Sequence, residues 1–132
     1  SRRVFGETVA DLNNRFPHWF CGNYKAFSGR EPEMPFDAHM LLAMASPRPL
    51  YVASATEDQW ADPKGEFLAA VAASEVYQLL GRNGIGTRVM PPADQPVGDA
   101  VRYHLRTGKH DITAYDWQQY LEFAARHFRA TR

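Results

Sequence analysis

The sequence predicts an α/β fold built on a largely parallel sheet. Three observations carry this. An apolar run over residues 49–55 reads as a buried strand and breaks into an acidic turn. Segments of helical period alternate with short extended ones along the whole chain. A capping signal, Thr113 with Asp116 three residues on, then opens a last helix.

The elements follow in order. Phe5, Val9, Leu12 and Phe16 recur at helical spacing over residues 4–16, and Pro17 stops that helix. Residues 16–24 hold Phe16, Trp19, Phe20 and Tyr24, too aromatic for a solvated loop, and are expected to pack against something larger than this chain. Residues 28–35, with Gly29, Pro32 and Pro35, form a polar loop. Asp37 caps a short helix whose buried face would be Met40, Leu41, Met44 and Ala45. Pro47 and Pro49 then deliver the chain into the strand over 49–55.

Asp62 and Pro63 are N-cap and first-turn residues for the next helix. Its stripe is Leu68, Val71, Ala72, Val76, Leu79 and Leu80, and Gly81 closes it. Residues 83–86 form a turn and 87–90 a short strand, followed by a proline-rich loop over 91–98. In 101–106, Val101, Tyr103 and Leu105 alternate with Arg102, His104 and Arg106, as in a half-exposed strand or an extended approach to a turn. The last helix would bury Trp117, Leu121, Ala124 and Phe128.

With 132 residues, the chain fits one modest domain, and 45% hydrophobic content supports a packed core. Two or three strands are few, however, against a usual sheet of about 5–6. A parallel sheet also needs cover on both faces. The chain is therefore expected to be half of a domain, and Ser1 to Glu7 read like the middle of a protein. Fifteen basic and fifteen acidic residues balance to zero, which removes the electrostatic case for nucleic-acid binding. No apolar run approaches the roughly 20 residues that span a bilayer, and no basic amphipathic stretch suits a membrane surface. The single Cys21 excludes an internal disulfide and reads as a small buried hydrophobe.

The chemistry is expected at two loops. Asp58 follows the strand, at the carboxyl edge where open α/β sheets place their sites. His110 lies in the turn Gly108-Lys109-His110-Asp111, ahead of the last helix. Acid first and histidine later is the order of the second half of an α/β-hydrolase triad. Such a histidine takes a proton from a serine hydroxyl and returns it to the leaving group, and a carboxylate holds its tautomer. Asp58, Asp62 and Asp111 are the possible acids, with Asp62 better explained as a cap and Asp111 directed elsewhere or capping the last helix. His18, His39, His104 and His127 read as structural or exposed.

Trp60 offers either a stacking face for a sugar ring or core packing under the loop. None of Ser1, Ser28, Ser46, Ser54 and Ser74 sits in a nucleophile-elbow setting. Asp37, His39, His110 and Asp111 offer metal-type ligands, but no recognised spacing joins them, so no metal or other cofactor is expected.

Four stretches are long and rare enough to carry a resemblance: Phe16-Pro17-His18-Trp19-Phe20-Cys21, Arg48 to Ala55, Glu57-Asp58-Gln59-Trp60-Ala61-Asp62-Pro63-Lys64-Gly65-Glu66-Phe67, and Gly108 to Asp111. Together they resemble the bacterial glucuronoyl esterases, α/β-hydrolases of the carbohydrate-esterase class. The resemblance implies that residues 1–132 are the carboxyl-terminal half of one α/β-hydrolase catalytic domain, a three-layer α/β/α sandwich. It implies serine-esterase cleavage of the ester between 4-O-methyl-glucuronic acid on xylan and a lignin alcohol. His110 matches the catalytic histidine and Asp58 the acid after the strand. Trp60 matches a residue contacting the glucuronate, and Glu7 a carboxylate that accepts from sugar hydroxyls, worth about 1.5–3 kcal/mol when desolvated.

The nucleophile elbow with its Arg, and the Glu that some members use, would lie upstream of Ser1. The missing amino-terminal segment is thus an expected partner alongside the glucuronoxylan or lignin–carbohydrate substrate, and the family implies a secreted or periplasmic setting. Two other readings stay open: a non-catalytic glycan- or partner-binding remnant, and an esterase of another substrate class such as acetyl-xylan.

Overall fold

A computed structural model describes residues 6–128. Val4 and Phe5 of the first predicted helix lie outside the described residues. A three-stranded sheet lies between helices. Its strands are β1 (Leu50–Ala55), β2 (Val97–Gly98) and β3 (Val101–Arg106), in the order β1-β3-β2. β1 and β3 run parallel, with Leu50 opposite Val101 and Ala55 opposite Arg106, and β2 pairs antiparallel to β3. The helices are α1 (Val9–Arg15), α2 (Gly22–Lys25), α3 (Ala38–Ala43), α4 (Pro63–Leu79) and α5 (Ala114–His127). Among the described residues, no helix is long and apolar enough to cross a membrane.

Successive residues of a strand face opposite sides, so one sheet face carries Leu50, Val52, Val101 and Tyr103 and the other Tyr51, His104 and Arg106. α4 covers the first face. Phe67 meets Tyr103 edge-on at 5.2 Å, and both belong to a core with Ala70, Tyr77, Ile85, Ala100 and Val101. α5 covers the second face, where Phe123 and Tyr120 meet the Tyr51 ring at 5.0 and 5.2 Å. The result is helix, sheet, helix in three layers.

Local signals hold where the backbone needs them. Asp37 accepts from the N–H of Ala38, and Asp62 from that of Gly65 at 2.9 Å. Thr113 and Asp116 form a reciprocal capping box on α5, so Asp111 is not its cap. A second box, Thr8 with Asp11, opens α1 and was not predicted.

Helix faces depart from expectation. α4 buries Phe67, Ala70, Ala73, Ser74 and Tyr77, not the stripe led by Leu68, Val76 and Leu79. The small side chains allow close approach: a Cβ on Gly84 would fall within 2.2 Å of Ser74. The Tyr77 hydroxyl donates to the carbonyl of Arg48 at 2.7 Å, which fixes α4 against the entry to β1. α5 buries Asp116, Gln119 and Phe123, while Trp117, Leu121 and Phe128 are 58, 66 and 69% exposed. On α3, Met40, Leu41 and Met44 are likewise exposed.

Other expectations are corrected too. Among the described residues, 87–90 pair with no strand, and a two-residue strand at Val97–Gly98 takes the sheet edge instead. β3 is buried on both sides because α5 closes over His104 and Arg106. Cys21 is exposed. Apart from these corrections, Phe16 stacks on Trp19 at 4.1 Å and Phe20 on Tyr24 at 4.6 Å within the aromatic segment, and Trp19 stays 59% exposed.

Phe67→Ala is expected to lower the unfolding free energy of the chain by about 3–5 kcal/mol, and Leu121→Ala to change it by less than about 0.5 kcal/mol. Urea denaturation followed by circular dichroism measures both.

Candidate functional site

The carboxyl ends of β1 and β3 lie side by side, so the loops that leave them meet. Thr56 N–H donates to the carbonyl of Arg106, Glu57 N–H to that of Gly108, and Gly108 N–H to the Thr56 hydroxyl, all at 2.9–3.0 Å. Asp94 grips the start of the second loop, accepting from the N–H and hydroxyl of Thr107. Gly108 has φ +118°, a conformation that L side chains rarely adopt. That turn lifts His110 toward the first loop.

There His110 Nδ1 meets Asp58 Oδ2 at 2.5 Å. The carboxylate is mostly covered, while the imidazole side chain is 88% exposed. An ionised carboxylate only accepts, so Nδ1 carries the proton and Nε2 keeps its lone pair. Nε2 has no hydrogen-bond partner among the described residues. The hydrogen bond and the charge of Asp58 raise the His110 pKa above its ordinary value, with smaller help from Asp111 and Glu66.

A cleft of about 560 Å³ opens beside this pair, bordered by Ser54, Glu66, Arg106 and Asp111. The Ser54 hydroxyl donates to Glu66 Oε2 at 2.5 Å and not to His110. Burial raises the Glu66 pKa, and the charges of Asp58 and Asp62 add to this against the Ser54 hydrogen bond. Ser74 is buried and bonded to the carbonyl of Ala70.

Glu7 and Trp60 come together on a second cleft of about 370 Å³, which shares Glu66 with the first. Glu7 N–H donates to the carbonyl of Trp60 at 2.9 Å. Gly6 permits this approach, since a Cβ there would fall 2.6 Å from Asp62 Cβ and 2.9 Å from the Trp60 oxygen. Arg15 joins them, its guanidinium 4.5 Å above the Trp60 ring and its Nη1 3.2 Å from Glu7 Oε1. Trp60 remains 58% exposed, so the described residues do not bury it in their core.

Sequence reasoning missed Arg15, Glu66 and Arg106. Only Glu66 had a signal, its place in the long motif after Asp58. Among the described residues, no group of three or more His, Cys, Asp or Glu could hold a metal ion.

Because Asp58 raises it, His110 is expected to titrate above about 6.5, the ordinary value. The pair then stabilises the fold below that ordinary value, and its contribution fades as pH rises through the raised one. Histidine NMR titration should show the raised midpoint, and Asp58→Asn should bring it down.

The family profile described as glucuronyl esterase, fungi, matches residues 6–81. A prokaryotic protein of unassigned organism, carbohydrate esterase MZ0003, is 51% identical over 127 residues, 96% of this chain and 29% of that protein. A 4-O-methyl-glucuronoyl methylesterase of Wolfiporia cocos is 36% identical over 63 residues, 48% of this chain and 15% of that protein. Among solved structures, a glucuronoyl esterase from Solibacter usitatus superposes with a TM-score of 0.93 at 62% identity, covering 98% of this chain and 33% of that one. A promiscuous CE15 esterase from a marine bacterial metagenome gives a TM-score of 0.93 at 51% identity, with 96% and 32% covered. The chain thus spans about a third of the length of these bacterial relatives, and its layers and loop order are those of part of an α/β-hydrolase fold. With more than half of its residues matched by the family profile, the chain belongs to the glucuronoyl esterase family.

Proposed function

We propose that this chain is the acid- and histidine-bearing, carboxyl-terminal portion of a serine carboxylic ester hydrolase acting on 4-O-methyl-glucuronoyl esters that join glucuronoxylan to lignin. The observation that carries the reading is the 2.5 Å pairing of His110 Nδ1 with Asp58, which leaves Nε2 open to solvent above a cleft. Two further observations support it. The chain matches about a third of each bacterial esterase structure, and α3 and α5 expose apolar side chains that a larger domain would cover.

In this reading a serine from an upstream segment of the same domain supplies the nucleophile. Its hydroxyl proton passes to His110 Nε2 as its oxygen bonds to the ester carbonyl carbon. Asp58 holds the ring in the reactive tautomer and stabilises the imidazolium. The imidazolium then protonates the departing lignin alkoxide as the carbon–oxygen ester bond breaks. Water, deprotonated by the same nitrogen, hydrolyses the acyl-serine to free glucuronate.

Trp60 presents an apolar face to the sugar ring. Glu7 accepts from the sugar hydroxyls and is held in place by Arg15. Arg15 itself adds a positive charge beside the site of the uronic acid ring.

The isolated 132-residue chain is expected to show no hydrolysis of a methyl glucuronate ester. Joined to the nucleophile-bearing segment it should show activity, and His110→Ala should lower kcat by about 10⁴-fold or more. Trp60→Ala should act mainly on KM. Hydrolysis by the isolated chain that survives His110→Ala would overturn the reading, and turnover of acetyl but not glucuronoyl esters would reassign the substrate.

A further inference from the structure

The loop that carries His110 has a buried cation at its centre. Arg106, the last residue of β3, keeps its guanidinium almost wholly out of solvent. Nη1 donates to the carbonyl of Thr107 at 2.9 Å, and Nη2 to those of Lys109 and Asp111 at 2.7 and 2.8 Å. The last two carbonyls flank His110 on either side. Nε lies 2.8 Å from Asp116 Oδ2, an ionic contact without a directed hydrogen bond.

Asp116 is itself immobilised. Oδ2 accepts from the N–H and hydroxyl of Thr113, and Oδ1 meets Nε2 of the buried His104 at 2.9 Å. His104 Nδ1 in turn meets the Tyr51 hydroxyl at 3.0 Å. Burial lowers the His104 pKa against the pull of Asp116. The ring is therefore neutral, with Nε2–H donating to Asp116 and Nδ1 accepting from Tyr51.

We propose that Arg106 is a positioning residue for the catalytic histidine, and that the Tyr51–His104–Asp116 chain holds it in place. The loop over residues 107–111 is largely exposed, and the one guanidinium holds three of its five carbonyls, those of Thr107, Lys109 and Asp111. The planar guanidinium presents several donors in a fixed arrangement, which one ammonium cannot reproduce. It thereby sets the backbone on both sides of His110, and so the approach of Nδ1 to Asp58. A buried ion pair is a poor source of net stability compared with apolar packing, so its yield here is geometric.

The inference rests on the reading of His110 as the catalytic base, and its test separates the two. Histidine NMR on the 132-residue chain, with the His110 signal assigned by His110→Gln, follows a ring faced by Asp58, Asp111 and Glu66. In Arg106→Lys the His110 midpoint should fall toward about 6.5 while amide dispersion is retained. Tyr51→Phe, which removes only the hydroxyl at the far end of the chain, should act in the same direction, and it decides the question if Arg106→Lys does not fold.

In the protein completed with its nucleophile segment, Arg106→Lys should lower kcat by about 10- to 100-fold with KM nearly unchanged. An unshifted His110 midpoint in the folded variants would overturn the proposal. A shifted midpoint in a completed protein that shows no esterase activity would leave the positioning role standing and sink the catalytic reading instead.

Discussion

The carboxylate of Asp116 is where this structure is tied together. One oxygen closes the N-terminus of α5 through Thr113, and the same oxygen faces Arg106. The other accepts a hydrogen bond from Nε2–H of His104 on the central strand. Burial alone would raise its pKa, but the Thr113 and His104 hydrogen bonds and the Arg106 charge together hold it below the ordinary carboxylate value. Its contribution is thus present above that value and is lost as pH falls through the lowered one. Helix, strand and the loop that carries His110 share one buried anion.

This arrangement bears on the candidate pair because His110 and Asp58 sit on two different loops. β1 supplies Asp58 and β3 leads to His110. Their parallel pairing brings the two strand ends level, and bonds between Thr56, Glu57 and Gly108 lace the loops together. The exposed imidazole then needs no burial of its own to be oriented, since Asp58 and the backbone beneath it do so. The cleft beside Trp60 is built differently. Gly6 lets the chain pass close to Asp62, Glu7 bonds the carbonyl of Trp60, and Arg15 lies over the indole. Glu66 borders both clefts, so the His110–Asp58 pair and the cleft beside Trp60 share a wall.

Two helices show a common pattern in where apolar surface lies. α3 and α5 each turn a hydrophobic face outward, through Met40 and Leu41 on one and Trp117 and Leu121 on the other. Such faces fit a protein that spans about a third of its solved bacterial relatives. The core that holds the described residues is smaller and lies between α4 and the sheet.

Much could be read from the residues alone wherever the cause was local. The strand over 49–55, the caps at Asp37, Asp62 and Thr113, and the glycine turn before His110 all rest on backbone needs that neighbouring residues meet. The pairing of Asp58 with His110 was legible from chain order, because parallel strands present their carboxyl ends at one edge. Helix faces were not legible. α4 and α5 carry apolar residues on more than one side, and the sheet selected Phe67, Ala70 and Tyr77 on one and Phe123 on the other. The predicted strand at 87–90 failed because a strand exists only with a partner. Arg106 and His104 read as the solvated side of an alternating strand, and α5 buried them by bringing Asp116 across from ten and twelve residues away. Periodicity records which side chains prefer to avoid water. A polar side chain is buried only when a distant partner satisfies it, and that partner is known only once the chain has folded.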